Sequence, residues 1–235
     1  MSLDDVVGVI RSKPGMDRAR ILILSHTGSR AFGWGDERFD IDVHGVFALK
    51  GYWDYVHSGE KGIDLNLHEM DHLIWMVLYY KSGESVMNLF NPIYLDPGFR
   101  FTEMLELVNE EFFRIETAES ELFRLQQYFH PRTALHAYRV MLVPIHFLTT
   151  RKPELNVFKI NDALGLGLRG LEMCRDAYVN ERNISKEEDR NLVWDELFRL
   201  LPMLYEAKKK YPGIKGDEWL RRWEKFRNYL EGEYR

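Results

Sequence analysis

The sequence has little cysteine, no long apolar run and no strong charge of either sign. Its single cysteine, Cys174, excludes an internal disulfide framework and zinc sites built on cysteine pairs. No apolar stretch is long enough to span a bilayer and no signal-peptide pattern opens the chain, so we expect a cytoplasmic protein without a membrane partner. The formal net charge of −5 gives no basic footprint for long nucleic acid.

The composition is that of a folded globular protein. Hydrophobic residues make up 45% of the chain and aromatic residues 14%. A length of 235 residues is enough for two modest domains. Proline and glycine breakers at 91–92 and 96–98 mark the best boundary, which predicts domains at 1–95 and 96–235.

Hydrophobic periodicity predicts different structure in the two parts. The first part should contain a helix capped by Ser2, strands at about 20–25, 41–49 and 63–68, a polar connection over 51–62, and a buried helix at 73–78 that ends near Gly83. The second part should be helical, with a helix from Pro131 to about Thr149, a capping box of Ser185 and Glu188, and a final helix over 219–230. The predicted fold class is therefore α+β: a mixed sheet flanked by helices, followed by a C-terminal helical domain.

Two aspartates separated by one residue, Asp40 and Asp42, are the most informative local feature. Alternate side chains of a strand lie on the same face, so both carboxylates should project together while Ile41 points away. Two such charges about 5 Å apart repel by roughly 3 kcal/mol at an effective dielectric constant near 20. Hard oxygen ligands of this kind favour Mg²⁺ or Mn²⁺.

A Gly28-Ser29-Arg30 turn precedes the acidic pair and follows the apolar run at 21–24. Glycine allows a tight turn and a close approach of the backbone to a ligand. Ser29 can add a hydroxyl donor and Arg30 a planar fork of donors for phosphate oxygens. A buried strand, a Gly-Ser turn and an Asp-x-Asp strand together predict a site for a metal-bound triphosphate.

The segment between the turn and the acidic pair has open alternatives. Arg30 could instead be a surface residue that pairs with Asp36 or Glu37. Trp34 or Phe39 could stack on a base, although packing beneath the loop is the favoured role for both.

These motifs resemble the nucleotidyltransferase core of the DNA polymerase beta superfamily. The resemblance rests on Gly28-Ser29, the ten-residue spacer and the Asp-hydrophobic-Asp pair, and segments 25–33, 64–68 and 85–90 resemble the small predicted nucleotidyltransferases of that superfamily. It covers about the first 95 residues. It implies an enzyme that moves a nucleoside monophosphate from a nucleoside triphosphate, with ATP the expected donor, to an acceptor hydroxyl with release of pyrophosphate.

The resemblance also implies two Mg²⁺ or Mn²⁺ ions and a third carboxylate on a neighbouring strand. Asp64 is the expected residue, because apolar and polar residues alternate over 63–68 and place Asp64 on a single polar face with Asn66 and His68. Glu69 and Asp71 are rivals that fit the first turn of the following helix better. Asp40, Asp42 and Asp64 are thus the predicted catalytic residues and metal ligands. Gly28, Ser29 and Arg30 are the predicted nucleotide-binding residues.

The helical part contributes one further candidate, Arg139, which could reach nucleotide phosphates or form salt bridges with nearby glutamates. Arg139 and His146 also fit a loose Arg-x(4–6)-His pattern of helical ribonuclease-like domains, but Val140 and Pro144 depart from that pattern. A catalytically silent nucleotide-binding or interaction module of the same fold is the main alternative. The acceptor stays open among an RNA end, a protein and a small molecule, and the apolar helical half leaves room for a homodimer.

Overall fold

The computed structural model describes residues 2–49, 56–60, 62–76, 80–211 and 213–234, with the backbone alone described over 56–60. The chain forms two compact units, each assembled from separated segments. The sheet unit comprises Met1–Gly28, Asp40–Phe112 and Gly213–Arg235, and the helical unit comprises Ser29–Phe39 and Phe113–Pro212. This division is interleaved along the chain, whereas the predicted domains were two consecutive blocks.

The sheet unit contains every strand of the described chain. Its elements are α1 (Leu3–Arg11), β1 (Arg20–Thr27), β2 (Ile41–Ala48), β3 (Val56–Glu60), β4 (Ile63–Glu69), α3 (Met70–Trp75), α4 (Gly83–Met87), β5 (Pro92–Leu95), α5 (Phe101–Leu107), a 3-10 turn (Glu110–Phe112) and α11 (Gly216–Tyr234). A short helix, α2 (Gly28–Ala31), begins at the last residue of the first segment of this unit.

Within the described residues the strands form one mixed sheet in the order β3-β4-β2-β1-β5. Strands β2 and β4 are parallel, and the pairs β1–β2, β1–β5 and β3–β4 are antiparallel. The prediction of an α+β fold with a mixed sheet is confirmed, as are the three predicted strands, to within two residues at each end.

Two strands were missed by sequence reasoning. The interval 51–62 was expected to be a connection, yet β3 occupies Val56–Glu60. Strand β5 begins at Pro92, in a region that was interpreted as a breaker. Proline lacks an amide donor, and an edge strand accepts it because one side of that strand forms no ladder.

One face of the sheet is the core of this unit. Apolar residues of β2 and β4 alternate with polar ones, and the apolar set is buried together with Val6, Val9 and Ile10 of α1. Ser2 caps α1 as predicted: its hydroxyl accepts from the Asp5 amide, and the Asp5 carboxylate accepts from the Ser2 amide at 2.7 Å.

The prediction for the helix after β4 was partly wrong. Helix α3 runs over Met70–Trp75, and its predicted continuation over 77–78 lies outside the described residues. Gly83 does not end a helix but begins α4, which is capped by the Ser82 hydroxyl. Glycine followed by Glu84 and Ser85 after a serine cap is a start signal, because the cap satisfies an orphan amide.

The last helix belongs to the sheet unit. Arg20 of β1 makes a bidentate ion pair with Asp96 at 2.9 and 2.8 Å, and the Tyr234 hydroxyl donates to the same carboxylate at 3.1 Å. The Arg20 guanidinium also lies 4.4 Å from the centroid of the Tyr234 ring. These contacts hold the C-terminal end of α11 to the start of β1.

The helical unit is built around one long buried helix. Its elements are α6 (Ile115–Gln127), α7 (Pro131–Thr150), α8 (Val157–Ala163), α9 (Arg169–Val179) and α10 (Glu187–Lys210). Helix α7 begins at Pro131 and ends at Thr150, which confirms its prediction, and it packs against all the other helices of the unit. No helix among the described residues is long and apolar enough to cross a membrane.

The predicted capping box before α10 is wrong. Lys186 occupies the cap position and makes no side-chain cap bond, so the helix starts after Ser185 rather than at it. Three acidic residues in the first turn, Glu187, Glu188 and Asp189, instead complement the helix dipole.

Candidate functional site

Two of the predicted carboxylates are paired residue for residue across neighbouring strands. Asp42 of β2 lies opposite Asp64 of β4 in the parallel ladder. Register partners of adjacent strands project from the same face of a sheet, and the strands are about 4.8 Å apart. Both residues are half-buried. The structure therefore brings Asp42 and Asp64 side by side.

The face that carries this pair is polar near the starts of β2 and β4, and further along it becomes apolar at Val46 and Ile23. His44 lies opposite Asn66 one step further along the same two strands. On the other side of β2, Thr27 pairs with Asp42 and Ser25 pairs with His44. Since the opposite face is the apolar core, this face is the one on which a polar ligand can be bound.

Gly28 fits directly against the Asp42 carboxylate. It follows the last residue of β1 and has φ +70°, a conformation that strongly favours glycine. A β-carbon at this position would overlap the carboxylate and β-carbon of Asp42. Because residue 28 has no side chain, the Asp42 carboxylate can occupy the space beside it.

Asp40 lies at the entrance to β2 and is exposed. The Ile41 amide donates to the Gly62 carbonyl at 2.9 Å, which joins the start of β2 to the start of β4. A β-carbon built on Gly62 would lie 3.7 Å from Oδ1 of Asp40. Sequence reasoning did not predict that the Gly62 carbonyl joins the starts of β2 and β4. A glycine directly before an alternating strand was the signal that could have indicated a turn there.

The rival acids belong to the helix that follows β4. Glu69 is the cap residue of α3, and its carboxylate accepts from the Asp71 amide at 2.6 Å. Asp71 is in the first turn. Their expected role at a helix start is confirmed.

The segment that begins at Ser29 is part of the helical unit. The Ser29 carbonyl accepts from the amides of Trp34 at 3.1 Å and Gly35 at 2.8 Å, which folds the segment into a compact turn. Arg30 donates to the Phe39 carbonyl at 3.5 Å. Asp36 pairs with Arg38 and not with Arg30, so the suggested pairing of Arg30 with Asp36 is wrong.

The aromatic residues of this segment pack within the helical unit. Trp34 is 2% exposed and contacts the rings of Phe32 and His136. Phe39 stacks on Tyr178 with ring centroids 5.2 Å apart. The favoured packing role of Trp34 and Phe39 is confirmed.

Arg139 lies in the interior of the helical unit. It is 5% exposed, and its guanidinium lies 4.9 Å from the centroid of the Phe32 ring. His146, the partner in the ribonuclease interpretation, is 8% exposed. Burial of both residues leaves little of either side chain within reach of RNA. The nucleotide-binding role of Arg139 stays a prediction.

Two histidines extend the polar face beyond the carboxylates. The rings of His68 and His72 stack with centroids 4.5 Å apart and an interplanar angle of 12°. Burial, with smaller effects of His72 and His44, lowers the pKa of His68 to about 4. Burial also lowers the pKa of His72. Both imidazoles are therefore neutral at pH 7.

The fit of this site to a divalent cation is partial. Carboxylate oxygens are the correct donors for Mg²⁺ or Mn²⁺, and Asp42 and Asp64 are correctly placed to share one. Among the described residues, no three His, Cys, Asp or Glu side chains are grouped closely enough to hold an ion together as they stand. Asp40 would have to turn toward the pair to complete the predicted set.

No protein-family model matches the chain, and no curated protein is significantly similar to it.

Proposed function

We propose that this protein is a metal-dependent nucleotidyltransferase of the DNA polymerase beta type. The observation that supports this function most strongly is the register pairing of Asp42 with Asp64, with Gly28 closely packed against the Asp42 carboxylate. Two carboxylates side by side on a polar sheet face repel each other, and a divalent cation converts that repulsion into binding energy.

Each residue of the site has a role in this proposal. Asp42 and Asp64 hold Mg²⁺ or Mn²⁺, with Asp40 as the third ligand. The ion would neutralise the carboxylates and withdraw charge from the transferred phosphoryl group. Asp64 accepts the proton of the acceptor hydroxyl. The acceptor oxygen forms a bond to the α-phosphorus, and the bond from that phosphorus to the β-phosphate oxygen breaks to release pyrophosphate.

The turn after β1 would position the triphosphate. Gly28 has no side chain, which leaves room for the Asp42 carboxylate to lie directly beside the turn. By the resemblance alone, Ser29 is the expected hydroxyl donor and Arg30 the expected source of positive charge. Positioning and charge stabilisation account for most of phosphoryl-transfer catalysis. ATP is the expected donor from the resemblance alone.

A transfer assay tests the proposal directly. Purified protein is incubated with each α-labelled nucleoside triphosphate, Mg²⁺ or Mn²⁺, and separate pools of RNA, protein and small hydroxylated compounds. Asp42→Ala should reduce label transfer at least a thousandfold, about 4 kcal/mol of barrier. The matched control is Asp17→Ala, because Asp17 is an exposed aspartate of the same unit. Equal transfer by the wild type and the Asp42 variant would remove this mechanism.

A binding measurement on the same samples distinguishes the catalytically silent module from the transferase. Titration calorimetry with ATP and Mg²⁺ that shows saturable binding, combined with no label transfer to any pool, would favour a nucleotide-binding module. The ribonuclease alternative predicts RNA cleavage that requires His146 and persists in the presence of a chelator.

A further inference from the structure

A cavity of about 700 Å³ lies in the helical unit, and none of the residues that line it has been assigned to a site above. It opens between α6 and α10, which both pack against α7. Leu122 and Leu125 of α6 form its buried floor. The Tyr205 hydroxyl of α10 donates to Glu119 of α6 at 3.4 Å, so the start of one helix lies beside the later part of the other. The volume is in the range typical of small-molecule pockets, roughly 300–1,000 Å³.

The walls of the cavity are aromatic on both sides. Trp194 and Phe198 of α10 are stacked with ring centroids 5.5 Å apart, and Phe129 meets Trp194 edge-on at 6.5 Å. Phe123 of α6 lines the facing wall. Phe123 and Phe198 are each 58% exposed, and exposed aromatic rings grouped at one cavity form the kind of apolar patch that marks a binding site.

Polar groups are placed at the two ends of the cavity. Arg190, Asn191 and Gln126 line one end. The Arg190 Nε donates to the Ile184 carbonyl at 2.8 Å, and its guanidinium lies 5.3 Å from the centroid of the Phe129 ring, which fixes the direction of the fork. Among the described residues Arg190 makes no ion pair. Glu119 lines the other end.

Size and charge together decide the class of ligand. Arg190 and Phe198 are eight residues apart on one helix, which is about 12 Å at 1.5 Å per residue. That length suits one or two fused rings rather than a docked helix. The guanidinium can bind a carboxylate through two parallel hydrogen bonds. Glu119 would repel a second acidic group at the opposite end.

We propose that this cavity binds a flat aromatic carboxylate that carries one acidic group. The ring lies between Phe123 and the Trp194–Phe198 pair, and the carboxylate is bound by Arg190 with the amides of Asn191 and Gln126. This site shares no residue with the proposed transferase site.

Titration calorimetry with naphthalene-2-carboxylate on the full chain tests the proposal. We expect saturable binding, with binding of the neutral analogue naphthalene-2-carboxamide at least about tenfold weaker. Arg190→Gln should weaken carboxylate binding by a similar factor. The control Arg199→Gln should leave it unchanged, because Arg199 lies on the same helix and its side chain donates to Leu166 instead.

A second variant keeps the test decisive if Arg190→Gln is poorly folded. Phe198→Ala should weaken naphthalene-2-carboxylate and naphthalene-2-carboxamide in parallel, because it removes ring contact without changing charge. Equal affinity for the two probes, or no saturable binding of either, would overturn the proposal. Sedimentation velocity gives a further outcome that would overturn it. If the wild type is a dimer and Phe198→Ala is a monomer, the cavity is an interface between copies of the chain.

Discussion

The two units surround their carboxylates with different groups. In the helical unit, Glu196 is 6% exposed and accepts hydrogen bonds from the Tyr138 hydroxyl at 2.6 Å and from the Gly170 amide at 3.0 and 3.1 Å. In the sheet unit, Asp42 lies directly opposite another carboxylate, that of Asp64. Glu196 is thus surrounded by hydrogen-bond donors, whereas Asp42 has a second carboxylate as its register partner.

The surroundings of Glu196 show what a structural acid requires. Gly170 lies in the first turn of α9, where the helix dipole favours a negative charge. Burial, together with the adjacent Glu196 charge, raises the pKa of Tyr138, so its hydroxyl stays protonated and donates. We therefore interpret Glu196 as a fold-stabilising residue and Asp42 with Asp64 as a ligand-binding pair.

Among the variants that test this difference between the units, Gly28→Ala should change unfolding free energy and label transfer the most. The new methyl group would displace the Asp42 carboxylate, and alanine is strained at this positive φ. We therefore expect a loss of at least about 2 kcal/mol of unfolding free energy, together with loss of label transfer. Gly8→Ala is the control: among the described residues a β-carbon there meets no heavy atom within 4 Å. In helix α1 it should add up to about 1 kcal/mol. Urea denaturation measures both, and equal stability of the two variants would contradict the packing described for Gly28.

The same carboxylate-to-amide change should give opposite results in the two units. Glu196→Gln places an amide donor beside donors and should cost about 2 kcal/mol of unfolding free energy, with transfer unchanged in the folded protein. Asp64→Asn removes like-charge repulsion and should leave unfolding free energy within about 1 kcal/mol of wild type while abolishing transfer. Asp195→Asn, an exposed site next to Glu196, is the control for α10. Parallel losses of stability in Glu196→Gln and Asp64→Asn would remove the distinction.

Tyr138→Phe is a milder perturbation of the same buried acid. It removes one donor while the Gly170 amide remains, so we expect a loss of about 1–1.5 kcal/mol, less than for Glu196→Gln. The double variant of Tyr138 and Glu196 should cost less than the sum of the two single changes, because both remove one interaction. Additive losses in a thermodynamic cycle would show that Tyr138 and Glu196 are not coupled.

The smallest effect at neutral pH should come from His68 in the sheet unit, because its imidazole is already uncharged there. His68 has a folded-state pKa of about 4, below the unfolded value near 6.5. Between these values the unfolded chain binds more protons, so stability should fall as pH decreases from about 6.5 to 4. His68→Gln should flatten that part of the curve of urea midpoint against pH, whereas the exposed His72 should contribute less. An unchanged slope in His68→Gln would show that His68 is not shielded from solvent.

Local signals predicted local structure well in this protein. Ser2 and Pro131 mark helix starts correctly, because a cap hydroxyl and a fixed φ act within a few residues. The alternation over 63–68 placed Asp64, Asn66 and His68 on one face for the same reason. Ser185 failed as a cap because the preferred cap residue type does not by itself determine where a helix begins.

Longer-range features were not predictable from spacing. Nothing local indicated that β3 and β5 would pair at the two edges of the sheet, or that the final helix would join β1 through Arg20, Asp96 and Tyr234. The grouping of Ser29–Phe39 with the helical unit was not predictable either, since Trp34 and Phe39 pack against His136 and Tyr178, more than a hundred positions away.

The sequence by itself determined which residues carry the candidate chemistry: a glycine-serine turn, an aspartate pair and a strand whose polar face includes Asp64. Strand alternation and turn preferences are properties of neighbouring residues, so they can be read from the chain order. Only the tertiary structure decided that Asp42 and Asp64 are exact register partners and that Gly28 packs against the first of them. Register depends on which apolar faces are buried together, and that choice is made by the whole fold.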